Sequence, residues 1–84
     1  MTPYPTGSVV RVKDSESWLA DFGRKVKDRD AIVLKAILDW GYGSDSEKRF
    51  RGRLLIEFQK RNGRGKVFTE VMHQRDLVLK EPST

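Results

Sequence analysis

The chain has 84 residues, no cysteine and a formal net charge of +5. A chain of this length forms one small domain with a thin core. The lack of cysteine excludes disulfides, thiolate metal sites and a cysteine nucleophile. Hydrophobic residues make up 37% of the chain and charged residues 35%, so the sequence is polar but has enough apolar side chains to fold.

The positive charge is concentrated in one segment. Residues 48–66 contain eight basic residues and one acid, Glu57, which gives this segment a net charge of +7. The other residues carry nine basic and eleven acidic groups and sum to −2. This segregation indicates an electrostatic binding surface more strongly than any other feature of the chain.

The N-terminal part predicts an arm, a strand and a long connection. Residues 1–7 contain two prolines and are expected to form a flexible arm. In residues 8–13, Val10 and Val12 alternate with their neighbours, which is the period of a strand with one buried face. In the following connection, apolar side chains recur every four residues, which favours a short helix within residues 15–27 or a long ordered loop.

The middle of the chain predicts three further strands. Residues 30–38 alternate and are rich in β-branched side chains, and an acidic, glycine-rich loop follows them. Residues 50–59 and 66–72 have the same period and flank a short basic turn. The Asn62-Gly63 pair in that turn favours positive φ angles and predicts a tight β-hairpin.

The C-terminal part predicts a turn and a last strand. Residues 73–76 are expected to form a single turn of 3₁₀ type, and residues 77–80 a short strand that Pro82 ends. The folded domain is therefore expected to span residues 8–80, with a tail at 81–84.

Five short strands in this order resemble the SH3-like small barrels, which include SH3, Tudor, chromo-barrel and KOW-type domains. The resemblance is carried by "GSVVRVK" as first strand, by the "NGRG" hairpin and by "MHQRDLVL" as turn and final strand. It covers roughly residues 7–80 and is one of architecture, so no specific family is identified. It implies a mainly β fold, a five-stranded small barrel with a short helix in the long first connection.

No catalytic pattern is present in the sequence. The nucleophile-elbow, HExxH and phosphate-loop motifs are all absent. His73 is the single histidine and has no His or Cys partner for a metal site, so it is expected to be a turn or partly buried residue. We therefore expect no enzymatic activity, no cofactor and no metal.

The basic segment predicts contact with DNA or RNA. The cations expected to contact phosphates are Arg51, Arg53, Lys60, Arg61, Arg64 and Lys66. Tyr42, between two glycines, and Phe68, on the polar face beside Glu70, are the candidates for base stacking. The predicted function is sequence-tolerant nucleic-acid binding by a small accessory or regulatory protein. Charge reversal at Arg61 and Arg64 is expected to weaken binding about tenfold or more with the fold intact.

The other large aromatic side chains allow two interpretations. Trp18, Phe22, Trp40 and Phe58 are expected to fill the core, and Phe50 suits either core or surface. Alternatively, Trp18, Leu19 and Phe22 form an exposed apolar patch for a protein partner. The protein would then be an interaction module or small inhibitor of the kind that phages and plasmids encode, and its hairpin would meet an acidic protein surface. Association of copies through sheet edges fits the same class.

The sequence also bears on location. The N-terminus has no basic start followed by an apolar run, so no signal peptide is expected. The longest apolar stretch is too short to span a bilayer. A cytoplasmic protein without membrane contact is the expectation.

Overall fold

A computed structural model describes residues 2–14, 18, 20–43 and 46–82. The elements are β1 (Val9–Val12), α1 (Ala20–Val26), β2 (Ala31–Trp40), β3 (Lys48–Phe58), β4 (Phe68–His73), a 3₁₀ turn (Gln74–Asp76) and β5 (Leu77–Glu81). Each predicted strand is present to within two residues at either end. The predicted helix is also present, and it occupies the second half of the range that the sequence indicated.

The five strands form one antiparallel sheet in the order β4-β3-β2-β1-β5. The mainly β class with five strands is thus confirmed. The sheet does not close on itself, because β4 and β5 are its two edges. The 3₁₀ turn carries the chain from one edge to the other in three residues, which span at most ~10 Å. The sheet is therefore strongly curved, and its concave side encloses the core.

The buried apolar side chains of the described residues form one cluster. They are Val10, Val26, Ala31, Val33, Leu54, Ile56, Phe58, Met72 and Leu77. On β3, Leu54, Ile56 and Phe58 occupy alternate positions and are fully buried, as the period of two predicts. This strand therefore supplies the centre of the core and pairs with a neighbour on each side.

The aromatic side chains divide between core and surface. Phe58 is fully buried, and Trp18 and Phe22 are half-buried with ring centroids 5.3 Å apart. Phe50 is half-buried and also packs against the core. Trp40 is 62% exposed, so its assignment to the core is wrong. It lies at the far end of β2, where no other element covers it.

The ends of β2 and β3 extend beyond the rest of the sheet as a two-stranded ribbon. Residues 38–40 pair with residues 48–50. β1 pairs with β2 only at its first two residues, and β4 pairs with β3 only from Arg53 onward. Residues 38–43 and 46–51 are called the ribbon below.

A bulge at Gly52 separates the ribbon from the central part of β3. The register against β2 shifts between Ala36 and Leu38, and Gly52 has a φ of 117°. A Cβ at this position would overlap the imidazole of His73. The His73 ring is fixed in place, since its Nδ1 accepts a hydrogen bond from the backbone N–H of Arg75 at 3.1 Å. Only glycine permits this close approach of a ring to the strand backbone.

The N-terminal residues, expected to form a flexible arm, are hydrogen-bonded to the domain. The N–H of Tyr4 donates to Oε1 of Gln74 at 2.8 Å, and Nε2 of Gln74 donates to the carbonyl of Thr2 at 3.0 Å. The N–H of Gly7 donates to the carbonyl of Val33 at 2.8 Å. The buried amide of Gln74 is thereby satisfied by the segment that covers it.

Helix α1 is short and is held by its C-terminal end. Val26 is 1% exposed and inserts into the core. Arg24 and Lys25 lie in the last turn, where the helix dipole favours positive charge. In the described part of the chain, no helix is long and apolar enough to cross a membrane.

Candidate nucleic-acid interface

The turn between β3 and β4 is the tight hairpin that the sequence predicts. Arg61 and Arg64 exchange backbone hydrogen bonds of 2.9 and 2.8 Å around a two-residue turn. Asn62 and Gly63 have φ angles of 51° and 76°, the positive values that a type I′ turn requires. Residues 59–67 are called the tip loop below.

The predicted phosphate-contacting cations do not form one row. Lys60, Arg61, Arg64 and Lys66 lie in the tip loop, whereas Arg51 lies in the first half of β3 and Arg53 at its middle. Arg53 is five positions before Phe58, the last residue of β3, a distance of about 17 Å along the strand. The predicted cations therefore form two groups, because the tip loop starts only after the buried half of β3.

Arg61 joins the tip loop to α1. Its Nη2 donates to the carbonyl of Arg24 at 2.8 Å and to that of Lys25 at 3.4 Å. These carbonyls belong to the C-terminal turn of the helix and lack partners within it. A guanidinium is a favourable cap here, because it supplies both hydrogen bonds and a positive charge. Arg61 therefore has a structural role as well as a charge.

Arg29 fastens the two ends of the tip loop. Its Nη1 donates to the carbonyl of Gln59 and to that of Lys66, each at 3.1 Å. One side chain from the turn after α1 thus holds together the chain entering and leaving the loop. No role for Arg29 is predicted from the sequence.

Phe68 packs between the core and the cations of α1 and the turn after it. Its ring stacks on that of Phe58, with a centroid distance of 4.9 Å and an interplanar angle of 24°. Lys25 Nζ lies 4.1 Å and Arg29 Cζ 5.2 Å from the centroid of the same ring, within cation–π distance. The ring is half-buried on the core side, so its assignment to a polar face is wrong. With these contacts already made, Phe68 offers little surface to a base.

These contacts assemble cations from two parts of the chain, which we call the basic pole. Its members are Arg24, Lys25, Lys27, Arg29, Lys60, Arg61, Arg64 and Lys66. Residues 24–30 and 59–67 together hold these eight cations and two acids, Asp28 and Asp30, a net charge of +6. Asp30 is bonded elsewhere: its carboxylate accepts from Arg11 at 2.7 Å and from Lys80 at 3.0 Å.

None of the ion pairs among the described residues involves a cation of the basic pole. The pairs join Arg11 and Lys80 to Asp30, Arg49 to Glu47, and Arg53 to Asp39. The hydrogen bond from Arg11, followed by that from Lys80, holds the pKa of Asp30 below its usual range despite some desolvation. The pole therefore keeps its positive charge without internal compensation.

The contribution of α1 to the basic pole was missed by the sequence analysis. The run "RKVKDRD" at residues 24–30 holds four cations and two acids, so its net charge of +2 is small beside that of residues 48–66. Only the contacts of Arg29 and Arg61 show that this run lies against the tip loop.

The ribbon end of β3 has a different chemistry. An open groove there is lined by Asp39, Trp40, Gly41, Tyr42, Phe50, Arg51, Arg53 and His73. Tyr42 is 89% exposed and Trp40 62% exposed, so both present aromatic surface to solvent. Lys48 Nζ lies 5.1 Å from the centroid of the Trp40 ring. Exposed rings beside arginine side chains are the surface on which unpaired bases stack.

Much of the charge at the ribbon is neutralised by carboxylates. Arg53 donates two hydrogen bonds to the carboxylate of Asp39, from Nε to Oδ2 at 3.1 Å and from Nη2 to Oδ1. This hydrogen bonding holds the pKa of Asp39 below its usual range and raises that of Arg53. Arg49 pairs with Glu47 at 3.3 Å. The predicted phosphate contact by Arg53 would thus compete with an internal carboxylate.

The residues predicted for a protein partner lie elsewhere. Trp18 and Phe22 pack against the core, and Trp18 Nε1 donates to the carbonyl of Lys13 at 3.3 Å. Leu19, the third member of that patch, lies outside the described residues. The two described rings therefore cover the core and leave only part of their surface for a partner.

Comparisons with known protein families, with curated proteins and with solved structures find no match. Among the described residues, no three His, Asp or Glu side chains come together as ligands of a metal ion.

Proposed function

We propose that this protein binds nucleic acid, with the basic pole contacting phosphates. The observation that carries the proposal is the set of cations from α1 and the tip loop, with a net charge of +6 and no ion pair to a carboxylate among the described residues. Counterion release from phosphates rewards such a surface. Ion pairs with carboxylates, by contrast, would have neutralised these cations within the fold.

The ribbon supplies the second part of the proposal. Tyr42 and Trp40 are exposed beside Arg51, where a base that leaves the stack can pack on a ring. Because phosphate contacts do not read sequence and stacking accepts every base, binding should tolerate many sequences. The protein would act as a small accessory or regulatory component rather than as a sequence-specific one.

The test is fluorescence anisotropy with labelled single-stranded DNA, duplex DNA and RNA, each over a series of salt concentrations. The variant is the triple substitution of Lys60, Arg64 and Lys66 by Gln, which keeps the structural arginines Arg29 and Arg61. We expect affinity to fall about tenfold or more, and the log–log salt slope to become shallower by about two to three, since each phosphate contact contributes ~0.9.

A matched control separates a site from general attraction. Lys13, Lys35 and Arg75 are exposed cations outside the basic pole, and their replacement by Gln removes the same charge. We expect this control to bind within about threefold of the wild type, because screened charges far from the ligand contribute little. Equal losses for both triple variants, or no binding by the wild type near physiological salt, would refute the proposal.

Binding of a protein partner is the second candidate. The observation in its favour is the exposed apolar surface of the ribbon, where Leu38 is 55% and Trp40 62% exposed. A protein partner would seat on these side chains, so replacing both by Ser would abolish its capture. The same variant would retain the salt-dependent binding of duplex DNA that the basic pole predicts.

A further inference from the structure

A pocket in the basic pole brings three arginines to one concave surface. It is lined by Arg29, Arg61, Asn62, Arg64 and Gly65. No carboxylate lies among these lining residues, and the arginines take part in none of the ion pairs of the described chain. The feature is therefore a cationic pocket rather than a scatter of surface charges.

Two of the guanidinium groups are held in place before any ligand arrives. Arg29 is fixed through Nη1 by the carbonyls at the two ends of the tip loop. Arg61 is fixed through Nη2 by the carbonyls of α1. Little side-chain freedom is left to lose on binding, which is the general requirement for a preorganised site.

The same two arginines have donors without an acceptor. Nε of Arg29 and Nε of Arg61 are buried and have no hydrogen-bond partner. An unpaired buried donor is unfavourable, and an anion held by the outer nitrogens of the guanidiniums would place its negative charge close to both Nε–H groups. Gly65 lies against the Arg29 guanidinium, since a Cβ there would be 3.6 Å from Nη2. The glycine therefore adds no side chain between the turn and that guanidinium.

We propose that this pocket binds a phosphomonoester dianion. The inference rests on the nucleic-acid-binding function proposed above, and in that function the ligand is the terminal phosphate of a strand. A phosphomonoester carries about −1.5 to −2 charges at neutral pH and three acceptor oxygens. Three guanidiniums supply positive charge for the dianion and N–H donors for its three oxygens. A phosphodiester within a strand has a single charge and two unsubstituted oxygens, so it would use the site less fully.

The first experiment compares single-stranded oligonucleotides of one sequence that end in a 5′-phosphate, a 3′-phosphate or hydroxyls only. We expect at least one phosphorylated end to bind about fivefold more tightly than the hydroxyl form at neutral pH. The preference should fade as the pH falls through about 6, because the phosphate takes up a proton there while arginine stays charged.

Matched variants locate the effect. Arg64 lines the pocket and makes no structural hydrogen bond with its side chain among the described residues, so Arg64→Gln should abolish the end preference while the fold is kept. Lys66→Gln removes the same charge from the same loop but lies outside the pocket lining. It should weaken all oligonucleotides equally and preserve the ratio between them.

A second readout uses inorganic phosphate and follows the arginine Nε–H signals by NMR. Shifts at Arg29 and Arg61, together with the end preference, support the inference. Unmoved signals and equal affinity for all oligonucleotides overturn it and leave the proposed function standing. Shifted signals without binding of any oligonucleotide refute the proposed function and with it the assignment to a strand terminus.

Discussion

The two ends of β3 carry the same residue types and use them differently. At the tip loop, arginines bind backbone carbonyls, and the charge of the pole has no carboxylate partner among the described residues. At the ribbon, carboxylates bind arginines, as Glu47 does with Arg49 and Asp39 with Arg53 just beyond the bulge, and the rings of Trp40 and Tyr42 are exposed. The number of arginines therefore does not indicate which end would attract phosphate. The two ends differ in the acceptor that each guanidinium already binds, a neutral carbonyl or a carboxylate.

This difference also separates stability from binding. A guanidinium that bonds a carbonyl keeps its charge, because the carbonyl is neutral, and it remains attractive to an anion. A guanidinium that bonds a carboxylate forms a pair with no net charge. The arginines of the basic pole can therefore stabilise the fold and still attract an anion. At the ribbon, any contribution to binding would come mainly from the exposed rings.

The largest expected effect tests how the ribbon end is built. Gly52→Ala should lower the free energy of unfolding by about 3 kcal/mol, because the residue has a positive φ and its Cβ would overlap the His73 ring. Urea denaturation measures this loss. Gly52 lies seven positions before the tip loop, so the nucleic-acid binding proposed for the basic pole should persist in the folded fraction.

Gly43→Ala is the control for that substitution. Gly43 also has a positive φ, 66°, but nothing lies within 4 Å of the added Cβ, so only the backbone cost of about 1 kcal/mol is expected. If the two substitutions lower the free energy of unfolding equally, the packing of His73 on the bulge is not the reason that residue 52 must be glycine. In a His73→Ala background, the cost of Gly52→Ala should fall toward that of Gly43→Ala.

The next effect distinguishes two arginines of the same turn. Arg61→Ala should lower the free energy of unfolding by about 2 kcal/mol, since two carbonyls of α1 lose a charged donor. Arg64→Ala should change it by less than about 0.5 kcal/mol. Equal values in urea denaturation would contradict the structural role of Arg61. The expectation that reversing both charges leaves the fold intact is revised accordingly.

The smallest expected effect concerns binding at the ribbon. Tyr42→Ala should weaken binding of single-stranded oligonucleotides by about 1 kcal/mol through the loss of one stacking ring. Its salt slope should stay that of the wild type, in contrast to the tip-loop variants. Tyr42→Phe keeps the ring and should bind normally. A loss with Phe equal to that with Ala would show that stacking is not the contribution.

Local patterns in the sequence predicted much of this molecule. Asn62-Gly63 specified the turn type, because few residue pairs adopt positive φ in succession. The alternation of Leu54, Ile56 and Phe58 specified the buried face of β3. Both signals involve residues that are adjacent or two apart, and period and propensity describe interactions at that range.

Contacts between distant parts of the chain were beyond those patterns. Arg61 and the carbonyl of Arg24 are 37 residues apart, and no period links them. The exposure of Trp40 depends on where β2 extends beyond β1, which alternation does not reveal. The face of Phe68 was assigned wrongly for a related reason: its stacking partner, Phe58, lies on another strand.

The ribbon has a further consequence for motion. Its residues pair on one side only, whereas residues 54–58 pair on both, and a two-stranded hairpin by itself is marginally stable in water. Local unfolding of the ribbon should therefore cost less free energy than opening of the whole domain, and we expect its amide hydrogens to exchange before those of residues 54–58. The exposed rings lie on this weakly paired segment, while the arginine pocket lies on a loop whose ends Arg29 joins through hydrogen bonds to two carbonyls.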